Sequence, residues 1–301
     1  MTAVIIDPSA VAAEYRKALR TEIAASPTPL RLLGLISGQH GPAQTYAEYT
    51  RRGCEEVGVS FELKSVARLD AEASIAAANA DPDVHGVLIY YPVFGTERDR
   101  YLRDSVDPGK DIEGLHSFWS RCLYENRRFI DAAQTKKAIL PCTPLAILKL
   151  LEAADVFDRS AVRPLEGRRV CIFNRSEVVG RPLASMMAND GAHVVSFDID
   201  GPLQFAPGTG REPHSVQETD IDRRAALADA DIVVTGVPTR SFERIAAREL
   251  RPGVVCVNFS TFANFENDAR DTARVFVPRV GPMTVTMALR NTLRLYQNGR
   301  S

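Results

Sequence analysis

The stretch VCIFNRSEVVGRPLASMMANDGAHVVSFDID, residues 170–200, constrains the fold of this chain more than any other. The apolar run from Val170 to Phe173 reads as a buried strand, and a helical stretch opens at Gly180 and Pro182 and stops at Gly191. A second apolar run then ends on the acid Asp198. Strand, tight turn, helix and acid-terminated strand make up the βαβ unit that binds dinucleotides. Gly180 lets the helix start approach a pyrophosphate, whose charge the free N–H groups and dipole of that start favour. Asp198 can accept hydrogen bonds from the adenosine ribose hydroxyls and repels a 2′-phosphate, so NAD is expected rather than NADP. Asn174 and Ser176 stand where GxGxxG would place glycines. The regular fingerprint is therefore absent, and an α/β domain whose second strand ends on an acid by chance is the competing reading.

The rest of the chain repeats the same alternation. A helix from Ser9 to Ala24 precedes a strand at 30–37, a polar loop at 38–42, a helix to about Val57 and a strand near 60–66. The Ala-rich helix 71–80 and the strand 86–92 follow. Such units imply parallel strands with helical crossovers. Residues 141–154 read as a helix capped by Thr143 with Pro144 at its first position. After a polar stretch come five candidate strands, at 169–173, 193–199, 232–237, 254–259 and 274–277, which fit a doubly wound sheet. The Gly-, Pro- and charge-rich stretch 200–222 is long for an α/β connection and reads as a surface insertion. A final helix spans about Met283 to Gln297.

At 301 residues two domains are expected. With 37 basic against 38 acidic residues and no basic strip, a nucleic-acid partner is disfavoured. The five cysteines are odd in number and contain no CxxC pair, which argues against a disulfide framework or a zinc site and for a reducing compartment. No uninterrupted apolar segment in the first 30 residues suits a secretory signal or membrane span, so a cytoplasmic protein is expected. His40, His85, His116, His193 and His214 form no ligand spacing, so no catalytic metal is expected.

Four motifs in their order here, KDIEG, PCTP, RSEVVGRP and GPMTVTM, resemble those of the methylenetetrahydrofolate dehydrogenases. That family often writes the dinucleotide turn as GRSxxVGxP, which accounts for the missing glycines. The resemblance covers nearly the whole chain. It implies an α/β fold of two domains. Residues 1–150, joined by the final helix 283–301, would form a folate-binding catalytic domain, and residues 151–282 an NAD-binding Rossmann-type doubly wound parallel sheet. In bifunctional members a tyrosine lies against the folate pterin, and a lysine four residues later serves the cyclohydrolase step, positioned by a glutamine. Here Tyr46 matches the tyrosine, but Thr50 stands at the lysine's place and Tyr90 at the glutamine's. Glu113 takes the place of the acid that grips the pterin. These departures, with Asp198, resemble the monofunctional NAD-dependent branch known from fungi, which oxidises 5,10-methylenetetrahydrofolate without hydrolysing the product. A neutral threonine cannot manage protons at the folate bridge as a lysine does. Hydride transfer mainly needs the nicotinamide held in line with the donor carbon.

The expected catalytic set is Tyr46, Cys142, Glu113 and Asp111, with a tetrahydrofolate derivative as substrate. Tyr46 read alone could be an ordinary half-buried helix residue. Cys142 heads a helix whose dipole lowers a thiol's pKa, and a structural cysteine is the alternative. Asp111 and Glu113 could instead be surface charge or a helix cap, with Lys110 paired to one of them. Arg51 and Arg52 are expected to be exposed or to meet the folate glutamate tail. For the cofactor, Arg175 and Ser176 would place donors at the pyrophosphate beside Gly180 and Pro182, with Asp198 and Ile199 following at the end of the second strand. Val237, Asn258, Phe259 and Ser260 close the third and fourth strands, and the last three are candidates for the nicotinamide end. The resemblance also implies a homodimer joined through the dinucleotide domain. Two competing functions stay open: an amino-acid or shikimate-type dehydrogenase, for which Lys64, Lys110, Lys136, Lys137 and Lys149 are available without a supporting motif, and an NAD-binding sensor that has lost catalysis.

Overall fold

The alternation of apolar runs and amphipathic stretches is realised in a computed structural model describing residues 3–38, 41–158, 160–209 and 212–300, with Pro42 described by its backbone alone. The chain runs β1 (Val4–Ile5), α1 (Pro8–Ala24), β2 (Arg31–Ile36), α2 (Pro42–Val57), β3 (Ser60–Ser65), α3 (Ala71–Ala80), β4 (Gly86–Tyr90), α4 (Arg98–Ser105) and α5 (Ser117–Tyr124). It continues with α6 (Cys142–Ala153), β5 (Arg169–Phe173), α7 (Gly180–Asn189), β6 (His193–Asp198), β7 (Gly201–Ala206), β8 (Ser215–Glu218) and α8 (Arg223–Asp229). Last come β9 (Ile232–Thr235), β10 (Val255–Asn258), α9 (Ala269–Thr272), β11 (Val275–Val277) and α10 (Gly281–Arg300). The loop expected at 38–42 includes Gln39 and His40, which lie outside the described residues.

Two compact units result. One comprises Ala12–Cys122, Arg127–Cys142 and the chain from Thr284 onward; the other comprises the chain up to Val11, Leu123–Asn126 and Thr143–Met283. The first is built on a three-stranded parallel sheet in the order β3-β2-β4. Its central strand, RLLGLI, is buried from Leu32 onward, as a strand covered on both faces must be. Leu33, Leu35, Ile75, Val87, Ile89 and Leu102 share one core, each contributing about 1.5–3 kcal/mol by leaving water. Gly34 keeps this strand thin: a Cβ there would lie 3.0 Å from the rings of both Phe61 and Tyr90. The outer edge of β4 is paired by loop backbone, Val87 N–H donating to Lys110 O at 2.8 Å. Residues 110–113 are thereby laid along that edge.

The second unit holds an eight-stranded sheet in the order β1-β11-β10-β9-β5-β6-β7-β8. The strands from β1 to β6 are parallel. The chain builds β5 and β6 on one side, then crosses to β9, so the switch point lies between β5 and β9. Three expectations are corrected here. The N-terminal residues were placed with the first domain, but Val4 and Ile5 pair with Val275 and Phe276 of β11. A two-residue strand shows no period in sequence, and its partner lies at the far end of the chain. Helix α6 groups with this unit from Thr143 onward rather than with residues 1–150, and it begins at Cys142, before the expected Thr143 cap. The stretch 200–222 is not simply an insertion on the surface: β7 folds back antiparallel on β6 and β8 on β7, adding two strands to the sheet. Among the described residues no helix is long and apolar enough to cross a membrane.

Candidate active site

In the first unit the site is built around the 111–116 loop. Asp111, 5% exposed, accepts four backbone N–H groups: Glu113 and Gly114 on Oδ1 at 3.0 and 3.1 Å, Leu115 and His116 on Oδ2, both at 2.8 Å. Burial raises its carboxyl pKa and these four donors oppose the rise. Asp111 was expected among the reacting groups, on the surface or as a cap for the following helix. The structure corrects this, because its carboxylate is engaged in folding the loop, and it is a positioning residue. Lys110 pairs with neither acid: its Nζ donates to the carbonyls of Ala78, Asn79 and Asp81 at 2.6–2.9 Å, closing the C-terminal end of α3.

Glu113 is the second acid of this loop. Burial pushes its carboxyl up to about 8, the neighbouring Asp111 charge adds to the rise, and the Ile89 backbone N–H and Arg103 pull the other way. Cys142 is tied to the same loop, its N–H donating to Glu113 O at 3.2 Å and its thiol to Ile112 O at 3.1 Å. The expected dipole-lowered thiol is not found. Burial, followed by the charges of Glu113 and Asp111, raises its pKa well above the ordinary value, so it stays protonated. Asn291 of α10, unnoticed in sequence, completes the arrangement by donating to Ile112 O at 2.9 Å and Leu140 O at 3.0 Å. It falls on the same helix face as Met283 and Met287, where a buried polar residue is itself the signal.

Tyr46, half-buried on α2, meets Tyr90 edge to face with ring centroids 5.6 Å apart. Burial raises its phenol pKa, with Cys142, Glu113 and Tyr90 adding to the shift, so these four side chains form one cluster. Thr50 is 1% exposed and donates to the carbonyl of Tyr46 at 2.9 Å. The buried Tyr90 hydroxyl has no hydrogen bond of normal geometry, and Thr50 is the polar side chain facing it. Arg51 and Arg52 both pair with Glu48, at 3.7 and 3.1 Å, on the outer face of α2.

In the second unit Asn174 performs the task the missing glycine would. Its φ is +93°, a conformation Asn tolerates better than other side chains. Its amide fixes that turn, Oδ1 accepting from Ser176 N–H at 2.8 Å and Nδ2 donating across the switch point to Gly236 O at 2.9 Å. Gly180 is required by contact, since a Cβ there would lie 1.6 Å from Asn174 O. Pro182 is buried in the first turn of α7, and the Ser176 hydroxyl accepts from Val179 N–H at 3.3 Å. Arg175 departs from expectation. Its guanidinium points not to the turn but into the β6–β7 hairpin, donating to Ser196 O at 2.8 Å and Gly201 O at 2.9 Å and pairing with Asp200. Packing against those inward carbonyls leaves its side chain 5% exposed.

Asp198 closes β6 with its carboxylate in solvent, accepting the backbone N–H groups of Arg175 and Ile199. A carboxylate has about four acceptor positions, so it can take ribose hydroxyls as well. Ile199 stands fully exposed beside it at the hairpin tip. At the ends of β9 and β10, Asn258 donates to the carbonyls of Ser260 and Phe262, both at 3.1 Å, while its buried Oδ1 has no partner. Ser260 Oγ donates to Val237 O at 2.9 Å, and the Phe259 ring fills the space over Gly236. Asn264, also missed in sequence, holds the strand end by accepting from Thr235 Oγ and Val237 N–H, each at 2.9 Å. The turn, the exposed carboxylate of Asp198 and the orphaned Asn258 acceptor fit a nicotinamide dinucleotide. Among the described residues no group of acids, histidines and cysteines could hold a metal. Of the lysines a shikimate-type reading would call on, Lys110 closes α3 and Lys149 pairs with Glu152 at 2.6 Å.

Comparison with known proteins agrees with both halves. The catalytic domain of the tetrahydrofolate dehydrogenase/cyclohydrolase family matches residues 6–113, and that family's NAD(P)-binding domain matches residues 141–202, ending where the added hairpin begins. A methylenetetrahydrofolate dehydrogenase [NAD(+)] of Dictyostelium discoideum is 38% identical over 97% of this chain and 94% of its own length. One of the same name from Schizosaccharomyces pombe is also 38% identical, over 97% and 92%. The solved NAD-dependent 5,10-methylenetetrahydrofolate dehydrogenase from Saccharomyces cerevisiae superposes with a TM-score of 0.91 at 33% identity, covering 99% and 98% of the two chains. The chain therefore belongs to the tetrahydrofolate dehydrogenase/cyclohydrolase family and is an oxidoreductase of one-carbon metabolism.

Proposed function

We propose that this enzyme oxidises 5,10-methylenetetrahydrofolate to 5,10-methenyltetrahydrofolate and leaves the product unhydrolysed. The cofactor is NAD, which supplies the hydride acceptor. The observation that carries the unhydrolysed outcome is the pair Thr50 and Tyr90. The Thr50 hydroxyl is bonded to its own helix and Tyr90 fills the neighbouring space, so neither the lysine nor the glutamine of the bifunctional members stands at these positions. Ring opening by water needs a proton donor and acceptor at the folate bridge. Hydride loss does not, because the adjacent folate nitrogens stabilise the cation themselves.

In this reading Glu113 accepts from the pterin ring N–H and amino group, Tyr46 lies against the pterin, and the neutral Cys142 thiol lines the site. Asp198 receives the adenosine ribose hydroxyls, with Ile199 beside the adenine. The turn from Asn174 to Gly180 receives the pyrophosphate. Asn258 Oδ1 offers an acceptor to the carboxamide, with Val237, Phe259 and Ser260 around the nicotinamide. The names of the relatives from Dictyostelium discoideum and Schizosaccharomyces pombe support NAD as the acceptor.

Initial rates with 5,10-methylenetetrahydrofolate and either NAD or NADP test this reading. Reduction of NAD, with NADP used far less well, is the expected result. Absence of NADH formation would overturn the activity, and efficient NADP use would overturn the role given to Asp198.

A further inference from the structure

A guanidinium next to the ribose of a dinucleotide site is the group that ordinarily accepts the 2′-phosphate of NADP. Arg175 is in that neighbourhood, since its backbone N–H is bonded to the Asp198 carboxylate. Its side chain is nonetheless unavailable. One terminal nitrogen is held by Ser196 O and Gly201 O, and the other is paired with Asp200. Asp200 is 71% exposed, so it reaches back from the hairpin tip over a cation that is itself buried. A phosphate arriving beside Asp198 thus meets two carboxylates and a guanidinium already engaged, and the bidentate pairing that makes arginine a phosphate ligand is blocked.

We propose that Asp200 is a specificity-determining residue: by pairing with Arg175 it withholds that guanidinium from a 2′-phosphate, so NADP is excluded by sequestration as well as by the Asp198 charge. The two effects are distinct. Asp198 acts on the incoming phosphate, whereas Asp200 acts on the arginine that would otherwise receive it. Replacing Asp200 alone leaves Asp198 repelling the phosphate, and replacing Asp198 alone leaves Arg175 engaged. Gains in NADP affinity should therefore be cooperative. The inference rests on the NAD reading above, and the experiment separates the two.

The test is calorimetric titration of NAD and NADP into the full chain without folate, for the wild type, Asp198→Ser, Asp200→Asn, the double variant, and the double variant carrying Arg175→Gln. The expected result is that the double variant binds NADP about tenfold or more tighter than Asp198→Ser does, the scale of one charge-assisted phosphate contact. That gain should disappear when Arg175→Gln is added. A double variant that binds NADP no tighter than Asp198→Ser overturns the proposal, whatever the folding of the triple variant. Retention of the gain without Arg175 overturns it too. Failure of the wild type to bind NAD would instead overturn the underlying reading, and the proposal with it.

Discussion

Glu113 faces Asp111 within its own loop, Arg103 from α4, Tyr90 from β4, Tyr46 from α2 and Cys142 at the start of α6. Enclosure among these groups holds its carboxyl near 8 in the free enzyme, so ionisation is incomplete at neutral pH. In the proposed site the pterin donors favour the carboxylate, and kcat/KM for the folate should rise with pH through about 8 and then level off. Glu113→Gln should lose about 100-fold in kcat/KM and lose this rise. A variant that keeps the wild-type pH limb would show that another group sets it. Stability moves the opposite way. The folded-state pKa lies above the unfolded value, so the stability contributed by the protonated form is fully present below about pH 4.5 and is lost as pH rises through 8. Thermal unfolding of Glu113→Gln at pH 9 should therefore occur above that of the wild type, with the two converging in acid.

Asn174 allows a separate test at the same scale. Asn174→Gly and Asn174→Ala both lose the bonds to Ser176 N–H and Gly236 O, but alanine must also hold a φ of +93°. Denaturant unfolding should find the alanine variant less stable than the glycine variant by about 1 kcal/mol. Equal stabilities would mean the turn relaxes and the positive φ is not enforced.

Among the elements, the 111–116 loop depends on one side chain. Asp111→Ala leaves four N–H donors without their acceptor and should cost on the order of 3 kcal/mol or more in chemical unfolding. A cost below about 1 kcal/mol would show that water or a shifted loop satisfies those donors as well. This arrangement was not legible in the sequence, where KDIEG shows two acids but not which is consumed by its own backbone. The strand and helix alternation was legible, because buried parallel strands and amphipathic helices print their periods on residues 30–92 and 169–199. β7 was not: Pro202 and Gly201 read as loop, and its pairing with β6 depends on a two-residue turn closed by Asp198 and Gly201. The reach of Arg175 into that hairpin was hidden for the same reason. Asn264 and Asn291 act through carbonyls or N–H groups distant in sequence, which no local motif reveals.

For the whole molecule, the family relation fixes a two-part enzyme, one unit with folate chemistry and one with a dinucleotide site, while single positions decide what is kept of the family's chemistry. In the proposed reading Asp198 and Asp200 bear on the cofactor, and Thr50 and Tyr90 on the hydrolytic step. Asp198→Ser should reduce the preference for NAD over NADP by about tenfold or more in kcat/KM, and an unchanged preference would place the acid away from the ribose. Oxidation without hydrolysis can be tested in a single progress curve. NADH and 5,10-methenyltetrahydrofolate are followed together while the purified enzyme turns over 5,10-methylenetetrahydrofolate. The two products should accumulate one to one, and the methenyl product should decay no faster than in buffer alone. Decay that accelerates with enzyme concentration, leaving NADH in excess over the methenyl product, would contradict it.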